Sequence, residues 1–231
     1  MYKRQPLKYK YVHVLRVPIL QHHTVAYGSA LHQAVEAFLR QRMQGRIMSL
    51  EELWEAFARA WSGEGFLSRE HEEQRFRMGR EVLRRFWESE LHRPPPAMVE
   101  QEFSVPVGRD RVVGRWDRVD MEDGGAVIID YKSTEVRSPQ EADRRARQSL
   151  QLAIYALAYR EIHGRLPRRV ELRFLDSGLV GRALPTGEFL DRARRAIEEA
   201  SRGIRAQAFE PRPGYESCTL CACRRICEHR C

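Results

Sequence analysis

GRWDRVDMEDGGAVIIDYKST, residues 114–134, consists of two β-rich runs separated by a turn signal at Asp123-Gly124-Gly125. That pattern predicts an antiparallel hairpin. The second run is apolar through Ile129 and then ends on Asp130, Tyr131 and Lys132. Side chains alternate along a strand, so Asp130 and Lys132 share one face and Tyr131 takes the other. An acid and a base therefore converge at one strand end, with the Tyr131 carbonyl beside them as a neutral oxygen donor. If the hairpin forms, Asp117 on the preceding strand can face Asp130. Two carboxylates and a carbonyl are hard oxygen ligands of the kind Mg2+ or Mn2+ takes. Such an ion generates a hydroxide nucleophile and polarises a phosphoryl oxygen, while Lys132 can orient water or offset charge at phosphorus. The plainer alternative is a surface ion pair at a strand end, with Asp117 as a turn residue.

Outward from this hairpin the texture is mixed. MVEQEFSVPV, before it, reads as a third strand of the same meander, with a turn at residues 108–110. In that run Glu100 and Glu102 fall on one strand face; Glu102 is a possible metal or water-positioning acid, or part of a solvated face. Upstream, Leu31, Val35, Phe38 and Leu39 recur at helical spacing and predict a helix from Gly28 to about Gln44. Ser49 with Glu52 forms a capping box that starts a second helix at LEELWEAFARAW. A third, highly charged helix runs through EQRFRMGREVLRRFWESEL and must stop near Pro94-Pro95-Pro96. The opening KYKYVHVLRVP reads as a short strand or an entry loop. Downstream, one long helix is expected from about Gln140 to His163, then a hairpin in RVELRFLDSGLVGRAL and a last helix from Pro185 to Gly203. The order implies an α/β fold with a central mixed sheet flanked by helices, an N-terminal helical segment and a C-terminal cysteine-rich tail.

The chain has 231 residues and a formal net charge of +8, which suits a polyanionic partner without requiring one. Of its 40 basic residues only Lys3, Lys8, Lys10 and Lys132 are lysine. Lysine at 132 is therefore informative: a compact charge whose pKa can shift is chemically unlike the arginine fork used elsewhere. No run is apolar and long enough to span a bilayer, and the N-terminus lacks the apolar core of a signal peptide, so a cytoplasmic protein is expected. All five cysteines lie at 218, 221, 223, 227 and 231. A terminal cluster of this kind reads as a metal or iron–sulfur appendage rather than a disulfide framework.

Taken together, GRWDRVD and VIIDYKST resemble the second and third motifs of the PD-(D/E)XK nucleases, in particular the RecB-like exonuclease branch that includes the RecB and AddB nuclease domains. Gln151-x3-Tyr155 in SLQLAIYALAY is similar to the branch's Q-x-x-x-Y motif, and His32 in GSALHQAVE to its histidine. The resemblance spans roughly residues 5–231. It implies a restriction-endonuclease-like core and a DNA nuclease with Mg2+ or Mn2+ held by His32, Asp117, Asp130 and the Tyr131 carbonyl. It further implies Asp117, Asp130 and Lys132 as catalytic residues, and Gln151 and Tyr155 as DNA contacts. From the residues themselves, Gln151 and Tyr155 share one helix face and can meet a phosphate or base together. Tyr155 is equally readable as an interior aromatic, and His32 as a structural histidine. The implied organisation is an N-terminal segment with the histidine (1–96), a nuclease core (97–209) and a cysteine-rich tail (210–231).

Such domains often form the C-terminal part of UvrD-like helicases or partner one in repair and recombination. The abrupt start at YKRQPLKYKY suggests a piece of a longer protein. Cys218-x2-Cys221-x5-Cys227 resembles the three-cysteine signature of iron–sulfur members of the branch, whose fourth cysteine lies near the N-terminus. Here Gln5 stands in that place, and glutamine is a poor ligand for such a cluster. Cys231 or Cys223 can complete a local site for a 4Fe-4S cluster or Zn2+, or the site is degenerate. Two other functions compete: a nuclease fold that holds DNA without cutting it, and a zinc-stabilised interaction domain acting through its tail.

Overall fold

A computed structural model describes residues 2, 5–19, 22–219, 221–224 and 226–231. Its elements run α1 (Pro6–Tyr9, continued by a π-helical turn to Val14), α2 (His23–Met43), α3 (Leu50–Ala60), α4 (Arg69–Glu90), β1 (Met98–Val107), β2 (Asp110–Glu122) and β3 (Gly125–Lys132). They continue as α5 (Pro139–Gln148), α6 (Leu150–His163), β4 (Arg169–Phe174), β5 (Val180–Ala183), α7 (Gly187–Arg205) and α8 (Tyr215–Thr219). The five strands form one sheet in sequence order; β1, β2 and β3 make the expected antiparallel meander, and β4 joins β3 in parallel before turning back into β5. The expected mixed sheet flanked by helices is therefore what forms. Among the described residues no helix is long and apolar enough to cross a membrane.

Both faces of the sheet are covered. Ile128 joins a core with Trp116, Phe103 and the buried faces of α5, α6 and α7. Val127, Ile129 and Tyr131 point the other way, into a second core with Leu31, Phe38, Phe57 and Leu83 from α2, α3 and α4. A strand buried on both sides reads as a continuous apolar run, which is why VII carries no alternation.

Three expectations change. The opening segment is helical, neither strand nor loop: Pro6 sits in the first turn, where its missing N–H costs nothing. The helix carrying His32 starts five residues before Gly28, at His23. The single helix expected over 140–163 is two, broken at Ser149, whose backbone is extended (φ −67°, ψ 114°) and whose Oγ accepts from the Leu152 N–H at 3.2 Å. Ser149 ends α5 and caps α6 in one residue, a role that hydroxyl side chains favour over the helix interior. The capping box at α3 forms as read, with Ser49 and Glu52 bonded reciprocally.

Candidate active site

The site forms where β1, β2 and β3 depart from regularity. Residues three apart on a strand face opposite ways, yet Trp116 and Val119 enter the same core. On β1, Val99 and Phe103 are four apart and enter different cores. The β1–β2 register runs from Gln101↔Trp116 to Val99↔Arg118 with no Glu100–Asp117 pair between. Glu100 sits at φ +49°, in the left-handed region that disfavours a side chain. Both strands thus change face at this level, and Glu100 and Asp117 turn inward.

Asp117 is held by the neighbouring strand. The β2–β3 ladder ends at Arg118↔Ile129, and the Tyr131 N–H donates to Asp117 Oδ2 at 3.0 Å. A side chain thereby satisfies a backbone donor that the ladder leaves unpaired. His32 arrives from α2. One turn earlier on that helix, Gly28 lies so near the end of β3 that an added Cβ would sit 2.7 Å from Ser133 Oγ. The absent side chain lets α2 come close enough for His32 Nε2 to reach the Tyr131 carbonyl at 2.8 Å. A carbonyl can only accept, so Nε2 donates to it, while Nδ1 lies 3.7 Å from Asp117 Oδ2. One ligand atom from each of His32, Glu100 and Asp117 lies within 4.8 Å of the other two.

Asp130 and Lys132 share a face, as read from the alternation. Asp130 is 1% exposed, with Lys132 Nζ 2.6 Å from its Oδ2. Both carboxylate oxygens are buried, and the Lys132 ammonium is the ion-pair partner that meets them. Burial raises the Asp130 pKa above the usual carboxylate range; Lys132 opposes the rise and Asp117 adds to it. Burial likewise raises Glu100, with the Asp117 charge acting in the same direction and its ion-pair partner Arg115 against it. From α6, Gln151 accepts from Lys132 Nζ at 2.9 Å through Oε1 and donates through Nε2 to the Tyr155 hydroxyl at 2.8 Å. Burial raises the Tyr155 pKa, so its hydroxyl stays protonated.

The donor set suits a divalent cation. Three clustered carboxylate and imidazole ligands with a buried carboxylate beside them offer what Mg2+ or Mn2+ requires, and the imidazole tips the balance toward Mn2+. The Tyr131 carbonyl is at the site as expected, and the contact with His32 uses one of its two lone pairs. Glu102, the acid weighed in the sequence, is exposed. Glu100 takes the inward place, and its backbone irregularity was signalled only by the apolar pair Trp116 and Val119 standing three apart within a strand.

The tail forms a second cluster. Gln5 and Lys8 line a small cavity with Cys218, Cys221, Cys223 and Cys227. Cys231 is exposed and hydrogen-bonded to Cys218, which raises its pKa, and burial raises that of Cys223. Among the described residues no three cysteine sulfurs lie within 4.8 Å of one another. The two chain ends meet through aromatic contacts, with Tyr9 stacked on Phe209 and the Tyr2 hydroxyl donating to the Ala208 carbonyl at 2.6 Å.

Fold and site together define a mixed-sheet α/β domain with an acidic, cation-suited centre on its central hairpin. The chain belongs to the PD-(D/E)XK nuclease superfamily, whose family model matches residues 1–228. The comparison with curated proteins finds none that match. A solved structure described as "Crystal structure of SSO0001" is similar over 96% of this chain and 94% of that one, at 15% identity and a TM-score of 0.43.

Proposed function

We propose that this chain is a divalent-cation-dependent deoxyribonuclease of the RecB-like exonuclease type, hydrolysing DNA phosphodiesters alongside a helicase domain or subunit in repair or recombination. The observation that carries the hydrolytic reading is the convergence of His32, Glu100 and Asp117 beside the buried Asp130–Lys132 pair. The RecB-like assignment is supported by His32 and the Gln151–Tyr155 pair standing at that same centre. The three-part organisation, with divisions after residues 96 and 209, belongs to the same proposal.

A bound cation supplies Lewis acidity toward the phosphoryl group and acidifies water. The residues around it divide the remaining tasks. Asp117, Asp130, His32 and the Tyr131 carbonyl would hold the ion, with Glu100 joining them, and in this structure that carbonyl orients the imidazole through Nε2. Lys132 Nζ has three N–H bonds, and its Asp130 and Gln151 contacts leave one to orient water or meet charge growing on the phosphoryl oxygen. Gln151 and Tyr155 set the position of that ammonium and meet the strand.

The test is digestion of end-labelled single- and double-stranded DNA with Mg2+, Mn2+ or chelator, beside Asp130→Ala and Lys132→Ala. Cleavage is expected with either cation and none with chelator, and each variant should lose about 10²- to 10³-fold. Full activity in Lys132→Ala would end its catalytic assignment; an inactive unaltered chain would favour the non-cleaving DNA-binding reading. For the tail we propose an iron–sulfur cluster or Zn2+ on Cys218, Cys221 and Cys227, with Cys231 or Cys223 as fourth thiolate. Metal analysis and the visible absorption spectrum separate iron from zinc and from neither.

A further inference from the structure

Around the β5 edge of the sheet lies a groove of about 580 Å3, bounded by the end of α5, the end of β5, the start of β4 and the first turns of α7. Arg147, Arg169, Arg182, Arg192 and Arg195 line it, against one acid, Glu188. Two of the five are partly neutralised: Arg169 pairs with Glu122 and Glu171, and Arg182 lies 3.5 Å from Glu171 while remaining 61% exposed. Arg147 and Arg195 are exposed and have no acidic partner among the described residues.

Arg192 is the informative member. Its guanidinium lies over the Phe189 ring, 4.9 Å from the centroid, and Nη2 donates to the Ser149 carbonyl at 3.2 Å. Its Nε is buried with no hydrogen-bond partner. A guanidinium held on the groove wall by a ring and a carbonyl is pre-ordered for an anion. Ser149 is two residues before Gln151, the residue bonded to Lys132, so the groove starts where the helix that positions the catalytic lysine starts. Its floor is not purely charged: Leu184 stands 70% exposed among the arginines. Arginine forks beside an exposed apolar side chain match a strand with accessible base faces better than a closed duplex.

Resting on the nuclease reading above, we propose that this groove is a track for the sugar–phosphate backbone of single-stranded DNA that runs past the start of α6 toward the site. Arg147, Arg192 and Arg195 take phosphates, and Leu184 packs against a base.

The experiment reads binding and cleavage separately. The affinity of the full chain for a labelled single strand of about 20 nucleotides, and for the matching duplex, is measured in chelator across a salt series. In Arg147→Gln/Arg195→Gln the slope of log K against log salt for the single strand should fall by about 1.4, two contacts at about 0.7 each. Arg147→Lys/Arg195→Lys should restore it, and the melting temperature should not change. Arg77→Gln/Arg109→Gln, an equal charge loss on other exposed surfaces, should leave the slope as it was. An unchanged slope in the groove variant, or an equal loss in this control, overturns the proposal. A loss confined to the duplex overturns the single-strand assignment. Because binding is read without a cation, a chain that never cleaves but binds through these arginines sinks the nuclease reading and keeps the groove; cleavage with arginine-independent binding does the reverse.

Discussion

Lys132 can only donate hydrogen bonds, and that constraint orients a row of side chains. The Gln151 amide must turn its oxygen to Lys132, which turns its nitrogen to the Tyr155 hydroxyl. Tyr155→Phe removes the last link, and a net hydrogen bond of about 1 kcal/mol corresponds to a fivefold to tenfold lower kcat. Because Tyr155 also meets the strand, KM should rise as well; a change confined to KM in oligonucleotide kinetics would mean that Tyr155 only contacts the strand and does not steady the lysine. Glu100 offers a second test at this scale. Its left-handed backbone costs about 1–3 kcal/mol, while glycine there gives back about 1 kcal/mol as chain entropy. Glu100→Gly should therefore keep or raise denaturant stability while weakening Mn2+ binding at least about tenfold, seen by calorimetric titration. Unchanged affinity would remove Glu100 from the site. The alternation of Asp130 and Lys132 could be read from sequence because strand geometry is local. Glu100 could not, since its inward turn depends on a backbone conformation that local preference opposes.

Two elements meet at Ser149, and their separation sets where Gln151 starts. Ser149→Ala removes the N-cap of α6 at a cost of about 1 kcal/mol, and should also lower kcat because the first turn carries Gln151. A loss of stability with no loss of kcat would show that the cap does not position the lysine's partner. Nearby, β5 and α5 pack backbone to backbone: a Cβ on Gly181 would lie 2.0 Å from the Ala142 carbonyl oxygen. Gly181→Ala forces the two apart and should cost about 1–3 kcal/mol in chemical denaturation. The capping box of α3 was legible because Ser49 and Glu52 bond within one turn. The break between α5 and α6 was not, because RRARQSLQLAIY is helix-compatible throughout and only packing against β5 and the sheet ends α5 there.

Across the whole molecule, an ion network lies behind the site in the second core. Arg118 is fully buried and bonds Asp120 at 2.6 Å, Glu90 at 2.7 Å and the Tyr131 hydroxyl at 3.2 Å. Arg173 links Glu90 to Glu171, which also meets Arg169. The network grips the ring of Tyr131 while its backbone N–H and carbonyl hold Asp117 and His32. For Glu171, burial pushes the pKa up but Arg173 and Arg169 outweigh it, and the net shift is downward. A lowered folded value means the contribution is complete above the unfolded value near 4.5 and is lost as pH falls through the lower folded value. Urea titrations should therefore show stability declining below pH 4.5. Glu171→Gln should cost about 3 kcal/mol near neutrality and flatten that decline. An equally steep decline in the variant would place the acid sensitivity elsewhere.

Local periodicity alone determined the meander, most helices, the shared face of Asp130 and Lys132, and the pairing of Gln151 with Tyr155, because each depends on residues within a few positions of one another. The fold alone decided that Glu100 joins Asp117, that His32 engages the Tyr131 carbonyl from 99 positions away, and that Arg118 anchors the same tyrosine from behind. Those contacts join chain segments whose approach is set by the packing of α2 and α4 on the sheet, and by backbone strain that no short-range pattern records.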